Sequence, residues 1–150
     1  MTVADNTLTY QFLTSPTQQQ IQDIIVLYRG AAWWSEEKDD EGLVGRIVKG
    51  SHCFLAVLDH TRIIGMGRAI SDRANDAYLQ DVTVHLDYQH RGVGSRLVNC
   101  LIERLRLDGI QWIGLVAGRG SHPFYHPLGF SVMPGSTPML LDDERWSCNL

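Results

Sequence analysis

A glycine-containing junction lies in the second half of the chain and reads Tyr88-Gln89-His90-Arg91-Gly92-Val93-Gly94-Ser95-Arg96-Leu97. It joins a strand-like segment to an amphipathic helix, whose apolar residues recur at helical spacing: Val93, Leu97, Val98, Leu101, Ile102 and Leu105. Two glycines one residue apart at such a junction let backbone N–H groups turn toward a ligand, and the helix dipole adds positive potential. The segment therefore predicts a site for phosphate and suggests a pyrophosphate-bearing cofactor.

Two common phosphate loops do not fit this segment. The dinucleotide fingerprint G-x-G-x-x-G requires a small residue where Leu97 stands. The nucleotide P-loop requires Gly-Lys-Ser or Gly-Lys-Thr, and the sequence contains neither. What remains is the pattern Gln-x-x-Gly-x-Gly, formed by Gln89, Gly92 and Gly94.

This pattern resembles the acyl-CoA pyrophosphate loop of the GNAT (Gcn5-related N-acetyltransferase) superfamily. A second segment, Phe124-Tyr125-His126-Pro127-Leu128-Gly129-Phe130, is similar to the F-Y-x-x-L-G-F signature that closes the same fold. Upstream, Ala77 to Val84 stands where that family has its central strand. The resemblance implies one α/β domain over residues 1–150, with an antiparallel meander, one parallel crossover, and splayed central strands that admit the pantetheine arm.

The elements expected from local patterns agree with such a mixed sheet. Helix starts, hydrophobic periodicity and turn residues predict them in this order: a strand over Leu8 to Phe12, a helix beginning at Thr14-Ser15-Pro16 and ended by Gly30, a helix from Glu37 to Lys49 with Leu43, Ile47 and Val48 inward, a hairpin of His52 to Leu58 and Arg62 to Ser71, a strand over Ala77 to Val84, the helix ended by Gly109, and a strand over Gln111 to Val116.

Composition excludes several classes of protein. Hydrophobic content of 44% is ordinary for a globular domain, and a net charge of −4 argues against general nucleic-acid binding. No apolar stretch approaches the roughly 20 residues of a membrane span, and the N-terminus lacks signal-peptide character. Three cysteines without framework spacing (Cys53, Cys100 and Cys148) fit a reducing cytoplasm. His122 and His126 are four residues apart, but Pro123 intervenes, and we expect no metal site.

The family resemblance implies acetyl-CoA as cofactor and assigns its contacts. The main chain of the central strand would bind the acyl carbonyl and the pantetheine amide, and the loop would hold the pyrophosphate, a set that comprises Val82, Thr83, Val84, Gln89, His90, Arg91, Gly92, Val93, Gly94 and Ser95. An N–H group aimed at the acyl oxygen would stabilise charge in the tetrahedral intermediate. The alternative is a plain turn that caps a helix.

Tyr125 matches the family tyrosine that protonates the departing CoA thiolate. A phenol with a pKa of about 10 stays protonated at pH 7 and can donate to a thiolate whose acid has a pKa of about 8.5. The alternative role for Tyr125 is aromatic packing.

The general base is less well defined by the sequence. Asp81, in the central strand, is the first choice, followed by Tyr78 and His85 and by Glu36 or Glu37 from the substrate side. Strand alternation places Asp81 on the face opposite Tyr78, Val82 and Val84 unless a bulge intervenes. A structural hydrogen bond is an equally good explanation for Asp81.

The segment between the first two helices is expected to select the acceptor. Trp33 and Trp34 stand there, followed by an acidic run through Glu41 that would favour a cationic amine. The alternative is that one tryptophan fills the core and the acids cap the next helix. The pattern Gly30-x-x-x-Trp34, together with Arg68 to Asp72 and Gln80 to Val82, resembles a small-molecule-directed GNAT subgroup that includes aralkylamine acetyltransferase-like proteins.

The sequence therefore predicts a cytoplasmic, acetyl-CoA-dependent N-acetyltransferase acting on a primary amine of a small molecule. Amine would attack the thioester directly in a ternary complex. Partners would be the small-molecule acceptor and a second copy in a homodimer, with no nucleic acid and no membrane. Two alternatives remain: acetylation of a protein N-terminus or lysine, and a non-catalytic acyl-CoA-binding regulatory module.

Overall fold

The computed structural model describes residues 7–35 and 41–141. The chain divides into two compact units, Met1–Leu115 and Val116–Leu150. The first unit holds the following elements: β1 (Leu8–Phe12), α1 (Gln18–Gly30), α2 (Glu41–Gly50), β2 (Cys53–Asp59), β3 (Arg62–Ser71), β4 (Asp76–Val84), a 3-10 turn (Leu86–Tyr88), α3 (Val93–Leu107) and β5 (Trp112–Leu115). The second unit holds α4 (His122–Tyr125), followed by a 3-10 turn (His126–Leu128).

The five strands form one mixed sheet in the order β1-β2-β3-β4-β5. The first four pair antiparallel, and β4 and β5 pair parallel through the α3 crossover. Pairing of β4 with β5 ends at Leu79 and Leu115, whereas β4 continues to Val84. The predicted meander, parallel crossover and separation of the central strands are therefore confirmed.

Helices cover both faces of the sheet. One core cluster joins α1 and α2 to the side chains of one face, including Ile24, Val44, Phe54 and Met66. On the other face α3 lies against β3, because a Cβ built on Gly67 would meet Leu97 of that helix. The interior strand β2 is buried along almost its whole length, as expected for a strand covered on both faces.

The first helix begins at Gln18, after the predicted start at Thr14-Ser15-Pro16. Thr17 is the N-cap, and its side chain and that of Gln20 bond reciprocally to each other's backbone N–H in a capping box. Pro16 therefore precedes the cap instead of occupying the first turn. Gly30 ends the helix as predicted.

The second helix runs over Glu41–Gly50 and buries Val44 and Val48. The predicted inward face missed Val44, while Leu43 and Ile47 are only partly buried. The first part of the predicted helix, along with Glu36 and Glu37, lies outside the described residues.

Candidate active site

The glycine junction forms a backbone concavity at the start of α3. His90 has a φ of +62° and Gly92 a φ of +79°, with Arg91 between them. Alternation of left-handed residues with ordinary ones turns successive N–H groups to one side, which is the geometry of an anion-binding nest. Gly92 is the N-cap of α3 and supplies no side-chain acceptor, and the first helical turn contains no acidic residue. The first-turn N–H groups are therefore suited to an external anion.

Side chains of the loop hold its shape. Gln89 donates from Nε2 to the main-chain oxygen of Val84 at 2.9 Å, which ties the loop to the end of β4. The Arg91 guanidinium lies 5.6 Å from the centre of the Tyr88 ring. Val93 is buried beneath the loop, whereas Gly94 and Ser95 are partly exposed on the first turn of α3. The loop residues of the predicted cofactor set thus lie together. The side chain of Gln89 holds the loop in place by its hydrogen bond to Val84.

A β-bulge interrupts β4 at Asp81. Met66 pairs with Thr83 and Arg68 pairs with Gln80, so one residue of β3 faces two residues of β4. Asp81 has a φ of +56°, in the left-handed region. Because of the bulge, Gln80 and Asp81 both lie on the α1 face of the sheet.

The bulge reverses the alternation of β4. Val82 comes within 3.2 Å of a Cβ built on Gly67 and therefore lies on the α3 face, together with Val84. Tyr78 is two residues from Gln80 and lies on the α1 face with Asp81. The predicted opposition of Asp81 to Val82 and Val84 is thus found, but its opposition to Tyr78 is removed by the bulge.

The Asp81 carboxylate is held by two side chains from other elements. Tyr28 of α1 donates its hydroxyl to Oδ2 at 2.7 Å, and Arg68 of β3 donates from Nε to the same oxygen at 2.7 Å. Burial, the Asp81 charge and this hydrogen bond raise the pKa of Tyr28 well above its usual value, so its phenol remains a donor. Arg68 also contacts Ser51 Oγ at 3.4 Å.

The tryptophan segment lies beside this cluster. The Trp34 ring stacks on Tyr28 with centroids 4.1 Å apart and planes within 6°, and Trp33 meets the same ring edge-on at 6.2 Å. Trp34 is partly buried against the core, whereas Trp33 is 44% exposed. The structure thus brings Trp33, Trp34 and Asp81 together around one tyrosine.

The two other base candidates in the described residues lie elsewhere. The Tyr78 ring packs edge-on against Trp112 at 5.0 Å. His85 accepts a hydrogen bond from the Asp87 N–H at Nδ1, and its Nε2 lies 3.2 Å from the Arg62 guanidinium. Of the three, Asp81 is the one that lies beside the tryptophan segment and accepts hydrogen bonds from two other elements.

Sequence reasoning missed Tyr28 and Arg68 as members of the site. The helical spacing of Ile21, Ile24, Ile25 and Tyr28 marks Tyr28 only as part of the apolar face of α1. Arg68 entered only as part of a family pattern. A signal existed in both cases, because a buried tyrosine hydroxyl and a charged residue within an apolar strand both require partners.

Tyr125 belongs to the second unit and ends α4. Its partly buried ring meets Phe124 edge-on at 4.8 Å and Phe130 at 5.8 Å. Burial raises the pKa of Tyr125 above its usual value of 10, so the phenol is protonated at neutral pH. This state is the one that a general acid requires.

Within residues 7–35 and 41–141, no three His, Cys, Asp or Glu side chains group into a possible metal site. Among the helices of that part of the chain, none has the length and apolar character to cross a bilayer.

Comparisons with known proteins agree with this architecture. A probable acetyltransferase of unknown function from methicillin-resistant Staphylococcus aureus superposes with a TM-score of 0.76, covering 90% of this chain and 98% of its own at 20% identity. At that identity the likeness establishes the fold alone: a mixed α/β acetyltransferase-like sheet.

Sequence relatives cover only part of their own length. An uncharacterized N-acetyltransferase, ycf52, of Porphyra purpurea is 40% identical over 74 residues, which are 49% of this chain and 42% of that protein. The histone acetyltransferase TAP1 of Glycine max is 41% identical over 76 residues, or 51% and 33% respectively. The chain thus matches less than half the length of these relatives.

The family model of the acetyltransferase (GNAT) family matches residues 12–130, which include the loop, the bulged strand and Tyr125. The chain belongs to the acetyltransferase (GNAT) family.

Proposed function

We propose that this protein is an acetyl-CoA-dependent N-acetyltransferase that acts on a primary amine of a small molecule. The observation that carries the proposal is the nest at His90 and Gly92 before an uncapped helix N-terminus, in a chain of this family. An anion with several oxygens, such as the pyrophosphate of CoA, suits N–H groups arranged in this way.

Acetyl transfer requires a neutral amine. If the acceptor has a pKa of about 10.4, only about one molecule in 2,500 is neutral at pH 7, which costs about 4.6 kcal/mol. We assign proton acceptance to Asp81, directly or through water. Because Tyr28 and Arg68 both bond to Oδ2, the proton would go to Oδ1.

The neutral amine would then attack the thioester carbonyl and form a tetrahedral intermediate. The oxyanion of that intermediate would accept a hydrogen bond from the main-chain N–H of Val82 or Val84. Its collapse breaks the carbon–sulfur bond and expels the CoA thiolate. Tyr125 would protonate that sulfur, and the proton that the attacking nitrogen loses on collapse would return through water to the Tyr125 oxygen. The products are the acetylated amine and CoA.

The acceptor side supports a small amine. Trp33, Trp34 and Tyr28 present aromatic rings beside Asp81, and aromatic faces attract ammonium groups. On this basis we propose that the chain belongs to the aralkylamine acetyltransferase-like subgroup. We propose that Trp33 and Trp34 line the acceptor site.

A protein acceptor is the second candidate, favoured by the 41% identity to a histone acetyltransferase over half of this chain. A protein N-terminus or lysine would need an accessible edge, which the exposed ring of Trp33 could border. A non-catalytic acyl-CoA-binding module is a third reading. The presence of Tyr125 counts against it, because binding alone does not require a phenol.

One assay separates these functions. CoA thiol release from acetyl-CoA would be followed across a panel of small amines, amino acids and a lysine peptide. We expect amine-dependent release with small amines. Release with the lysine peptide alone would support the protein acceptor, and acetyl-CoA binding by calorimetry without any release would support the regulatory module. Absence of binding would refute acetyl-CoA as substrate.

A further inference from the structure

One side chain connects the tryptophan segment to the bulge of β4. The Tyr28 ring is 2% exposed and lies face to face with Trp34, and its hydroxyl reaches Asp81 53 residues further along the chain. The ring stack and the hydrogen bond therefore join the tryptophan segment to the bulge through this one side chain.

The bulge depends on a backbone conformation that is not the default. A φ of +56° is uncommon for residues other than glycine, although aspartate adopts it more readily than most. Hydrogen bonds to the charged carboxylate are stronger than neutral ones, and here Tyr28 and Arg68 provide two of them on one oxygen. The side chain of Asp81 is thereby anchored to α1 and to β3 at once.

Arg68 is itself held in place. Its Nη1 contacts the hydroxyl of Ser51, which is nearly fully buried and donates to the main-chain oxygen of Ile47 at 2.6 Å. The network thus runs from the end of α2 through β3 to the bulge, and Tyr28 closes it from α1. The carboxylate cannot move without breaking its contacts to α1 and to β3.

The bulge in turn decides which way the end of β4 faces. With the extra residue, Thr83 lies on the α1 face and Val82 and Val84 lie on the α3 face. A regular strand would exchange these faces, because side chains alternate with a period of two. The main-chain N–H and C=O groups that would bind the acyl chain would change direction together with these side chains.

We propose that Tyr28 is a positioning residue for acyl transfer: through its hydrogen bond to Asp81 it holds the β4 bulge and couples the tryptophan segment to the strand that receives the acyl and pantetheine groups. The proposal rests on the proposed function for its consequence in binding. The conformational part, the link from Trp34 through Tyr28 to Asp81, stands on the structure alone.

The test uses Tyr28→Phe, which keeps the ring stack and removes only the hydroxyl donor. Backbone chemical shifts of Asp81 and Val82 to Val84 are measured by NMR in the full chain. We expect the Asp81 carbon shifts to move from left-handed toward extended values and the three following amides to shift. Unchanged shifts at all four residues would overturn the proposal.

Ligand binding distinguishes a positioning role of Tyr28 from a general loosening of the fold. Adenosine 3′,5′-bisphosphate carries phosphates without the pantetheine arm, so it reports on the loop, whereas acetyl-CoA reports on the loop and on β4. For Tyr28→Phe we expect the Kd of acetyl-CoA to rise about five-fold and that of the bisphosphate to change less than about two-fold. Equal weakening of both ligands would contradict a positioning role.

Two further variants complete the design. Tyr88→Phe removes a similar phenol–carboxylate bond, to Asp59, and we expect the Asp81 shifts to stay as in the wild type. Trp34→Leu removes the stack and leaves the Tyr28 hydroxyl in place, and we expect a smaller shift at Asp81; no shift there would refute the coupling. If the wild type fails to bind acetyl-CoA, the proposed function fails, while the NMR result still decides whether Tyr28 holds the bulge.

Discussion

Replacement of Gly67 by alanine tests the contact between β3 and α3 on which the position of the loop depends. A Cβ at this residue would lie 2.6 Å from Leu97 Cδ2, 3.1 Å from Leu101 Cδ1 and 3.2 Å from Val82 Cγ2. Carbon atoms prefer separations of about 3.5–4.0 Å, so the Leu97 methyl must retreat by about 1 Å. Leu97 and Leu101 are fully buried, which leaves them little room.

Overpacking of a well-filled core costs about 1–3 kcal/mol. For a chain of this size we expect Gly67→Ala to lower Tm by roughly 2–10 °C, measured by thermal unfolding, with urea unfolding for the free energy. The matched control is Gly45→Ala in α2, where a Cβ meets nothing within 4 Å. That change should stabilise the protein by about 0.5–1 kcal/mol, because alanine favours the helix.

A double variant identifies the atoms responsible. Leu97→Ala alone should cost about 2–5 kcal/mol by leaving a cavity. Combined with Gly67→Ala, Leu97→Ala removes the methyl that the new Cβ would contact. The destabilisation of the double variant should therefore be smaller than the sum of the two single destabilisations by about 1 kcal/mol or more. Strict additivity, or a Gly67→Ala protein as stable as the wild type, would refute the described packing of α3 on β3.

Three other changes have defined outcomes. Tyr125→Phe should lower kcat for thiol release by about 10²-fold or more while the calorimetric Kd of acetyl-CoA changes little. Because burial raises the pKa of Tyr125, its titration should not lower kcat at neutral or mildly alkaline pH. Gly92→Ala should destabilise the protein by about 1–2 kcal/mol in urea unfolding and weaken acetyl-CoA binding. A Cβ at Gly92 would meet no neighbouring atom, so the cost comes from its φ of +79° alone. Gly92→Asn should be milder, because asparagine adopts this conformation more readily than alanine. Hydrogen bonds from His52 and Arg104 lower the pKa of Asp108 below 3.8, so its stabilisation is full above that pH and is lost on acidification through the lowered pKa. Asp108→Asn should therefore flatten the acid side of the stability profile measured by urea unfolding.

Much of the fold could be predicted because its signals are local. The strand β1 and the strand β3 have the predicted bounds, and Gly30 and Gly109 end or follow helices where expected. Glycine at a positive φ and apolar residues at a period of 3.6 leave few alternative conformations. The errors concern the start of α1, where Thr17 and not the Thr14-Ser15-Pro16 segment supplies the cap, and the inward face of α2, where Val44 was missed.

The site was less predictable because its geometry depends on distant residues. Gln89 was assigned to the cofactor set, yet its side chain braces the loop against Val84. Asp81 was recognised as a candidate, but the side to which it points depended on a bulge. The sequence pattern of β4 does not reveal where an extra residue enters the ladder.

The sequence by itself determined the glycine loop, the helix that follows it and the order of strands, since dihedral preference and hydrophobic period act over a few residues. Only the tertiary structure decided how Asp81 is used. Its partner Tyr28 lies 53 residues away, and Arg68 reaches it across the ladder. A hydrogen bond between such residues forms only after α1 and the sheet have packed together, because burial is what makes the phenol and the guanidinium require a partner.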